Sequence, residues 1–522
     1  MSLKNIIANK KKVEKETSSN YIIDIFIVLI LCVFPLFFTD KYFNILISKY
    51  YFYLAAIAFL VIALIGIYYY EKVKRHINAF FWSELFNNFS ITDWSLIVFI
   101  IVAIISTCIS DFVSESFWGN EGRYTGLFLL SLYALAYFAV TRFGKVRKWH
   151  LDSFLFIALF ICLFGISDYF DMDILRFKED IVPEQHYMFT STIGNINTYT
   201  ALIGMITAIA AVLYTQENKL KKQLFYYICF IISLFAIIMG ISDNALLSLG
   251  ALFAFLPLYL FTKENGLKKY LIILATFFSV LKSIAWIDYV MADQVFGIDS
   301  AFNIIMNFKG LIYIVIGLWL IILFWYLMEY NLKKTLDIKG DYLRNIWLIC
   351  LTLTMGIVLF LLYDVNINGN IGKYGLLNNY LLFDDDWGTY RGYIWRNALE
   401  CFRDFSPIKK MFGFGPETFG IVMLNKTRGN IYGEFYDTAH NEYLQYLITV
   451  GLLGLIAYIV YIVSFIIDGI KKSAKSSYVA ACLFAVICYA SQAFVNLGLP
   501  IVTPIMLLLL ALGKLGCKQI EN

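Results

Sequence analysis

Apolar runs recur along the whole chain, separated by short polar turns, and each is long enough or nearly long enough to cross a bilayer, which takes about 20 residues of helix. They occupy 21–38, 50–70, 94–110, 126–141, 151–167, 199–215, 224–240, 243–261, 270–287, 310–328, 345–363, 443–467, 477–495 and 499–513. The pattern predicts an all-α, polytopic transmembrane helix bundle of about 14 spans, with 12–14 the range. It divides the chain into an N-terminal segment 1–20, a bundle of about eleven spans over 21–363, a loop over 364–442, about three spans over 443–513, and a tail 514–522. The first run lacks a small-residue cleavage pattern after it, so it reads as a retained span.

Basic residues gather in alternate connections: "EKVKRH" (71–76), "RFGKVRK" (142–148), "NKLKK" (218–222) and "DGIKKSAK" (468–475). Positive loops stay inside. This puts both termini in the cytoplasm and the loop 364–442 on the outer side of the membrane. That loop is the one long hydrophilic stretch, and loops of such length are usually functional or disordered. Its composition argues against disorder, with Trp387, Trp395, Phe402, Phe412, Phe414 and Phe419. Ile394, Trp395, Ala398, Leu399 and Phe402 recur at helical spacing, which predicts an amphipathic helix at the membrane interface.

Composition sharpens this picture. Of the 522 residues, 60% are hydrophobic and 15% are charged, as in an integral membrane protein. The balance of 42 basic against 38 acidic residues gives no footprint for a nucleic-acid partner. The nine cysteines contain no CxxC and no metal-ligand spacing, so they read as small core hydrophobes. No metal site and no cofactor is expected.

His440 is one of only four histidines, and it stands at the threshold of the twelfth run. With Asp437 or Thr438 as the cap, His440 falls in the first helical turn, where the helix dipole favours a neutral ring. A neutral imidazole can act as a general base; the plainer alternative is an interfacial histidine bonded to loop backbone. Arg391 shares a helical face with Trp395, Ala398 and Phe402, and a guanidinium there suits a desolvated phosphate or snorkels to headgroups. Arg396, Glu400 and Arg403 fall on the opposite face as a solvated charge ladder. Two further outer segments, "SESFWGNEGRYTGL" with Glu121 and Arg123, and "FTSTIGNINTYTAL" with Asn195 and Asn197, offer either turn chemistry or a grip on a sugar phosphate. Asp384–Asp386 looks like a nucleotide-sugar metal motif, but it faces away from the cytoplasmic nucleotide sugars and reads as a solvated run.

The ordered set of "RGYIW" (391–395), "PIKKMFGFGPETFG" (407–420) and "AHNEYLQYLITVGLLGL" (439–455) resembles the O-antigen ligase/O-antigen polymerase family of membrane glycosyltransferases. "GNEGRYTGL" and "IGNINTYTAL" are similar to upstream segments of that family. The resemblance implies transfer of a glycan from an undecaprenyl-diphosphate carrier to a hydroxyl on a glycan, lipid or protein acceptor, without metal or ATP. It gives His440 the role of base and Arg391 a place on the diphosphate. The family often carries a second arginine where this chain reads "GISDNALL", with Asp243 and Asn244; Arg123 is the candidate replacement. The competing expectation is a polytopic transporter or flippase of a lipid-linked oligosaccharide. It fits less well, because ionisable residues within the runs are few and chemistry crowds the outer loop.

Overall fold

The computed structural model describes residues 17–75, 89–120 and 122–521. Among the described residues eleven helices are long and apolar enough to span a membrane, and three shorter apolar ones, Leu127–Phe143, Asn244–Leu260 and Ser477–Gln492, complete the fourteen expected positions. Among the described residues the only strands are the two-residue pair Phe189–Thr190 and Gly194–Asn195. The protein is an all-α, multi-pass membrane bundle.

The Ile196–Gln216 helix is its axis: 89% of that span's apolar window is buried, against 11% for Leu311–Leu332 and none for Asp341–Asn366. Its neighbours are Ser477–Gln492, Leu220–Met239 and Asn244–Leu260. Close approach here depends on small residues, since a Cβ on Gly204 would stand 2.1 Å from Ser248 Oγ. The two rim helices turn their apolar side chains outward, as lipid-facing helices do.

Lys49 is a charged side chain buried in the Ile45–Arg75 helix. The first helix unwinds at its end through Leu29–Val33 and Phe34–Leu36, and Lys49 Nζ donates to the carbonyls of Phe34, Pro35 and Phe37 at 2.9, 3.0 and 3.0 Å. The ammonium thus adds donors at a helix end whose carbonyls run short of them, Phe34 O accepting in addition from Phe37 N–H at 3.2 Å.

The structure corrects the twelfth span. The run 443–467 is two helices, Glu442–Thr449 and Gly451–Ser473, broken at Val450 and Gly451. The turn Gly413–Gly415 inserts at the break, where Phe414 N–H donates to Ile448 O at 3.0 Å and Gly415 N–H to Thr449 O at 2.9 Å. Ser106 Oγ adds a bond to Thr449 O at 2.9 Å. Gly413 and Gly451 hold φ of +81° and +77°. A Cβ on Gly451 would lie 2.4 Å from Gly413 N. Only glycines let the two backbones meet. The last helix, Thr503–Glu521, also runs past the expected end of its span at 513.

The loop forms its own small core. Helix Trp387–Asp404 buries Ile394, Ala398 and Cys401 against Phe419 and Met423 of Phe419–Thr427 and Ile448 of Glu442–Thr449. Leu399, expected on the apolar face, is exposed. Gly392 allows the backbone of Asp384 to cross, since a Cβ there would clash with Asp384 O at 1.8 Å.

Gly451→Ala should therefore destabilise the protein by about 1–2 kcal/mol from the left-handed backbone alone, with more from the clash. Gly66→Ala, with nothing within 4 Å of the new Cβ, should leave stability unchanged. Thermal melting of the purified, detergent-solubilised variants checks both.

Candidate functional site at the outer loop

His440 stands one residue ahead of the cap of the Glu442–Thr449 helix rather than in its first turn. The cap is Asn441, whose Oδ1 accepts from Tyr443 N–H and Leu444 N–H, both at 3.1 Å. Asp437 and Thr438 lie too far upstream to reach those donors. His440 itself adopts a left-handed backbone, φ +45°.

Two side chains fix the peptide groups that lead into it. Trp395 Nε1–H donates to Ala439 O at 2.8 Å, and Ala439 N–H donates to Gln445 Oε1 at 2.9 Å. The first bond ties the histidine segment to the helix that carries Arg391. That helix is regular only from Arg391 onward, because Gly388, Thr389 and Tyr390 have positive φ. Arg391 thus sits at a helix start, not in mid-helix.

The charges around His440 set its state. Burial, then Arg391, then Arg123, push the imidazole down to about 4, with Asp437 opposing them. The ring is neutral at neutral pH, as expected, but desolvation and two guanidiniums are the cause. Its Nδ1 is buried without a hydrogen-bond partner, and so are Thr438 Oγ1 and Tyr436 Oη.

Among the described residues Arg391 has no hydrogen-bond or ion-pair partner. Burial lowers its pKa and the charge of Asp243 raises it. Asp243, at the position of the expected second arginine, accepts from Ala301 N–H at 2.7 Å and Tyr380 Oη–H at 3.5 Å. Arg123 is committed differently: its Nε and Nη2 donate to the two oxygens of Asp437 at 2.9–3.0 Å. It is near His440 electrostatically, yet its charge is shared with a carboxylate.

The other expected residues divide. Asn195 caps Ile196–Gln216 by accepting from Asn197 N–H at 2.9 Å, which is turn chemistry. Asn197 Oδ1 accepts from Ser242 Oγ–H at 2.7 Å and its carbonyl from Asn496 Nδ2–H at 3.0 Å, so it packs beside Asp243 rather than at the histidine. Glu121 lies outside the described residues. Asp385 pairs with Arg396 at 2.6 Å and Asp386 accepts from Tyr432 Oη–H at 3.0 Å, so the acidic run is engaged with loop partners. Arg396 also approaches Glu400 at 3.6 Å, as the charge ladder requires. Among the described residues no group of three metal-ligating side chains occurs.

Two buried acids were not singled out from sequence. Glu417 accepts from Thr125 N–H at 3.2 Å and Asn120 Nδ2–H at 3.3 Å, and burial lifts its carboxyl to about 7. Glu442 is raised by burial and accepts from the Tyr458 and Tyr489 hydroxyls. Both line a cavity of about 30 Å³ with Arg123, Thr438 and Gln445. It has room for water but not for a sugar. Both acids occur inside the quoted motif stretches, where acidic residues otherwise read as surface charge.

A family model described as O-antigen ligase matches residues 295–459, the segment that holds Arg391, Trp395, the glycine turn and His440. The chain carries a domain of the O-antigen ligase family. No curated protein matches the chain. The O-antigen ligase domain thus spans the rim helices and the long loop 364–442 through to the broken twelfth span, embedded in a multi-pass membrane bundle. Its family is that of surface-polysaccharide ligases and polymerases, so the protein is a membrane glycosyltransferase-like enzyme.

The state of His440 gives a direct check. Its imidazole should titrate near pH 4 in the free protein, and Arg391→Gln should raise that value by removing a repelling charge. Because the folded value lies below the usual 6.5, the unfolded chain binds the extra proton first as pH falls. His440 therefore contributes stability above pH 6.5 that is lost as pH drops from 6.5 to 4. NMR titration of ¹⁵N-histidine-labelled protein reads the ring directly.

Proposed function

We propose that the protein transfers a glycan from an undecaprenyl-diphosphate carrier to an acceptor hydroxyl at the outer face of the cytoplasmic membrane. The observation that carries this reading is the unpaired guanidinium of Arg391 beside a neutral, backbone-fixed His440. A planar, desolvated guanidinium fits a phosphate bidentately. In the proposed step His440 takes the proton from the acceptor hydroxyl. The acceptor oxygen then attacks the anomeric carbon as its bond to the diphosphate oxygen breaks. The bonding pair leaves with the lipid diphosphate, whose added negative charge Arg391 stabilises. The bond broken supplies the driving energy, so the reading requires neither metal nor ATP.

The acceptor is a hydroxyl of a second glycan, a lipid or a protein. What the reading fixes is the order of contact: diphosphate at Arg391, acceptor at His440.

Membranes containing the protein should release free undecaprenyl diphosphate from the carrier-linked glycan without ATP. His440→Ala should lose about 10² to 10⁴ in rate, the usual worth of a general base. Arg391→Lys should fail in carrier binding as well as rate, because an ammonium cannot replace the fork. Protein that moves the lipid-linked glycan across vesicles without breaking the bond would identify a flippase instead.

The orientation behind this reading has its own check. A cysteine at Ile431, 89% exposed, should react with an impermeant maleimide on intact cells, and one at exposed Lys475 should react only after lysis.

A further inference from the structure

The unpartnered Nδ1 of His440 is the starting point. A general base takes the acceptor proton on one ring nitrogen, and the other must then carry N–H. Nδ1 is sealed from solvent, which leaves Nε2 as the nitrogen open to an acceptor. The neutral ring in that tautomer holds a buried Nδ1–H with nothing to donate to. Once protonated at Nε2, the imidazolium needs a carboxylate at Nδ1 more acutely.

Three polar atoms of one short segment, Tyr436 Oη, Thr438 Oγ1 and His440 Nδ1, share this condition. Buried polar groups are normally bonded, so a run of exceptions calls for partners that the resting arrangement does not supply. The carboxylate whose charge acts on His440 is Asp437, three residues before it. In the resting protein that carboxylate is taken by the fork of Arg123. The pair is not locked in the interior, with side-chain exposures of 20% and 34%. Arg123 in turn faces the buried carboxyl of Glu417 across the small cavity.

We propose that Asp437 is the positioning residue for His440, and that the donor's diphosphate releases it by drawing the Arg123 guanidinium away. This inference rests on the donor chemistry proposed above. In the exchange Arg123 trades one anion for another, and Asp437 turns to accept the hydrogen bond from His440 Nδ1–H. The proton from the acceptor goes to Nε2, giving an imidazolium paired with the Asp437 carboxylate. No charge is created without a partner at either step. The base is therefore switched on only when the donor is seated.

The charges that enter the titration of His440 are Arg391 from the Trp387–Asp404 helix, Arg123 from the turn before Leu127–Phe143, and Asp437 from its own segment. Glu417 acts on Arg123 and Asp437, and Asp243 on Arg391. Diphosphate at the two guanidiniums removes the repulsion, and a freed Asp437 adds attraction.

The test uses full-length ¹⁵N-histidine-labelled protein in lipid nanodiscs, titrated with undecaprenyl diphosphate as the probe. Wild type should show the His440 titration moving up and its Nδ1–H resonance moving downfield as the probe binds. Asp437→Asn should bind the probe as well or better, since Arg123 is then free, and should lose the downfield shift. In turnover of the carrier-linked glycan, Asp437→Asn should cut kcat by about 10² or more with KM for the donor unchanged or lower. Asp437→Glu, which keeps the carboxylate, should recover within about tenfold of wild type, and it serves where Asp437→Asn fails to fold. Normal kcat in Asp437→Asn, or a raised KM with kcat intact, overturns the proposal while leaving the transferase reading standing. A wild-type protein that never consumes the carrier-linked glycan sinks the transferase reading and the inference with it.

Discussion

A meeting of two backbones governs the loop-bearing half of this protein. Phe414 and Gly415 hand their N–H groups to the carbonyls of Ile448 and Thr449, at the point where Gly451 breaks the helix. Inside a membrane protein those carbonyls would otherwise continue a helical ladder or go unpaired at several kcal/mol. The turn from the loop replaces the missing helical donors, so loop and bundle are joined through main chain as well as by side chains such as Arg123 with Asp437. Everything near His440 follows. The short helix Glu442–Thr449 takes a direction of its own, Asn441 caps it, and Gln445 reaches back to hold Ala439. Trp395 completes the frame by tying Ala439 to the helix of Arg391.

Charge is arranged with matching economy. Two guanidiniums face a neutral imidazole, and one of them is already answered by Asp437 while the other is not. An unpaired Arg391 in a poorly solvated position is unfavourable in the free protein and favourable once an anion arrives. The cost of holding it is carried by the rigid frame around it. Burial lifts the carboxyls of both Glu417 and Glu442, the first to about 7.

Much of this was legible in the sequence, and the parts that were not share a physical reason. Apolar runs report helices faithfully because the bilayer forces the backbone to bond to itself. All fourteen expected spans have a counterpart among the helices and the broken twelfth. His440 and Arg391 were visible as polar residues in a patterned loop. The break at Gly451 was hidden, because "LITVGLLG" continues apolar through it and only the distant turn at Gly413 explains it. Likewise the bond between Arg123 and Asp437 joins residues 314 positions apart, which no local pattern can announce. Asn441 displaced Asp437 and Thr438 as the cap because both candidates were chosen by residue type, and the backbone turned at His440 instead.

The buried Lys49 has a consequence for how the chain enters the membrane. Its ammonium serves three carbonyls that the first helix exposes where it unwinds, and Thr192 Oγ1–H adds a bond to that of Pro35 at 2.8 Å. Phe34 O also accepts from Phe37 N–H at 3.2 Å, so Lys49 supplements the main chain there and adds a donor at Pro35 O and Phe37 O. The first two helices are therefore a unit of biogenesis: the translocon has to release them as a hairpin, with the lysine's charge delivered together with the acceptors that make it tolerable.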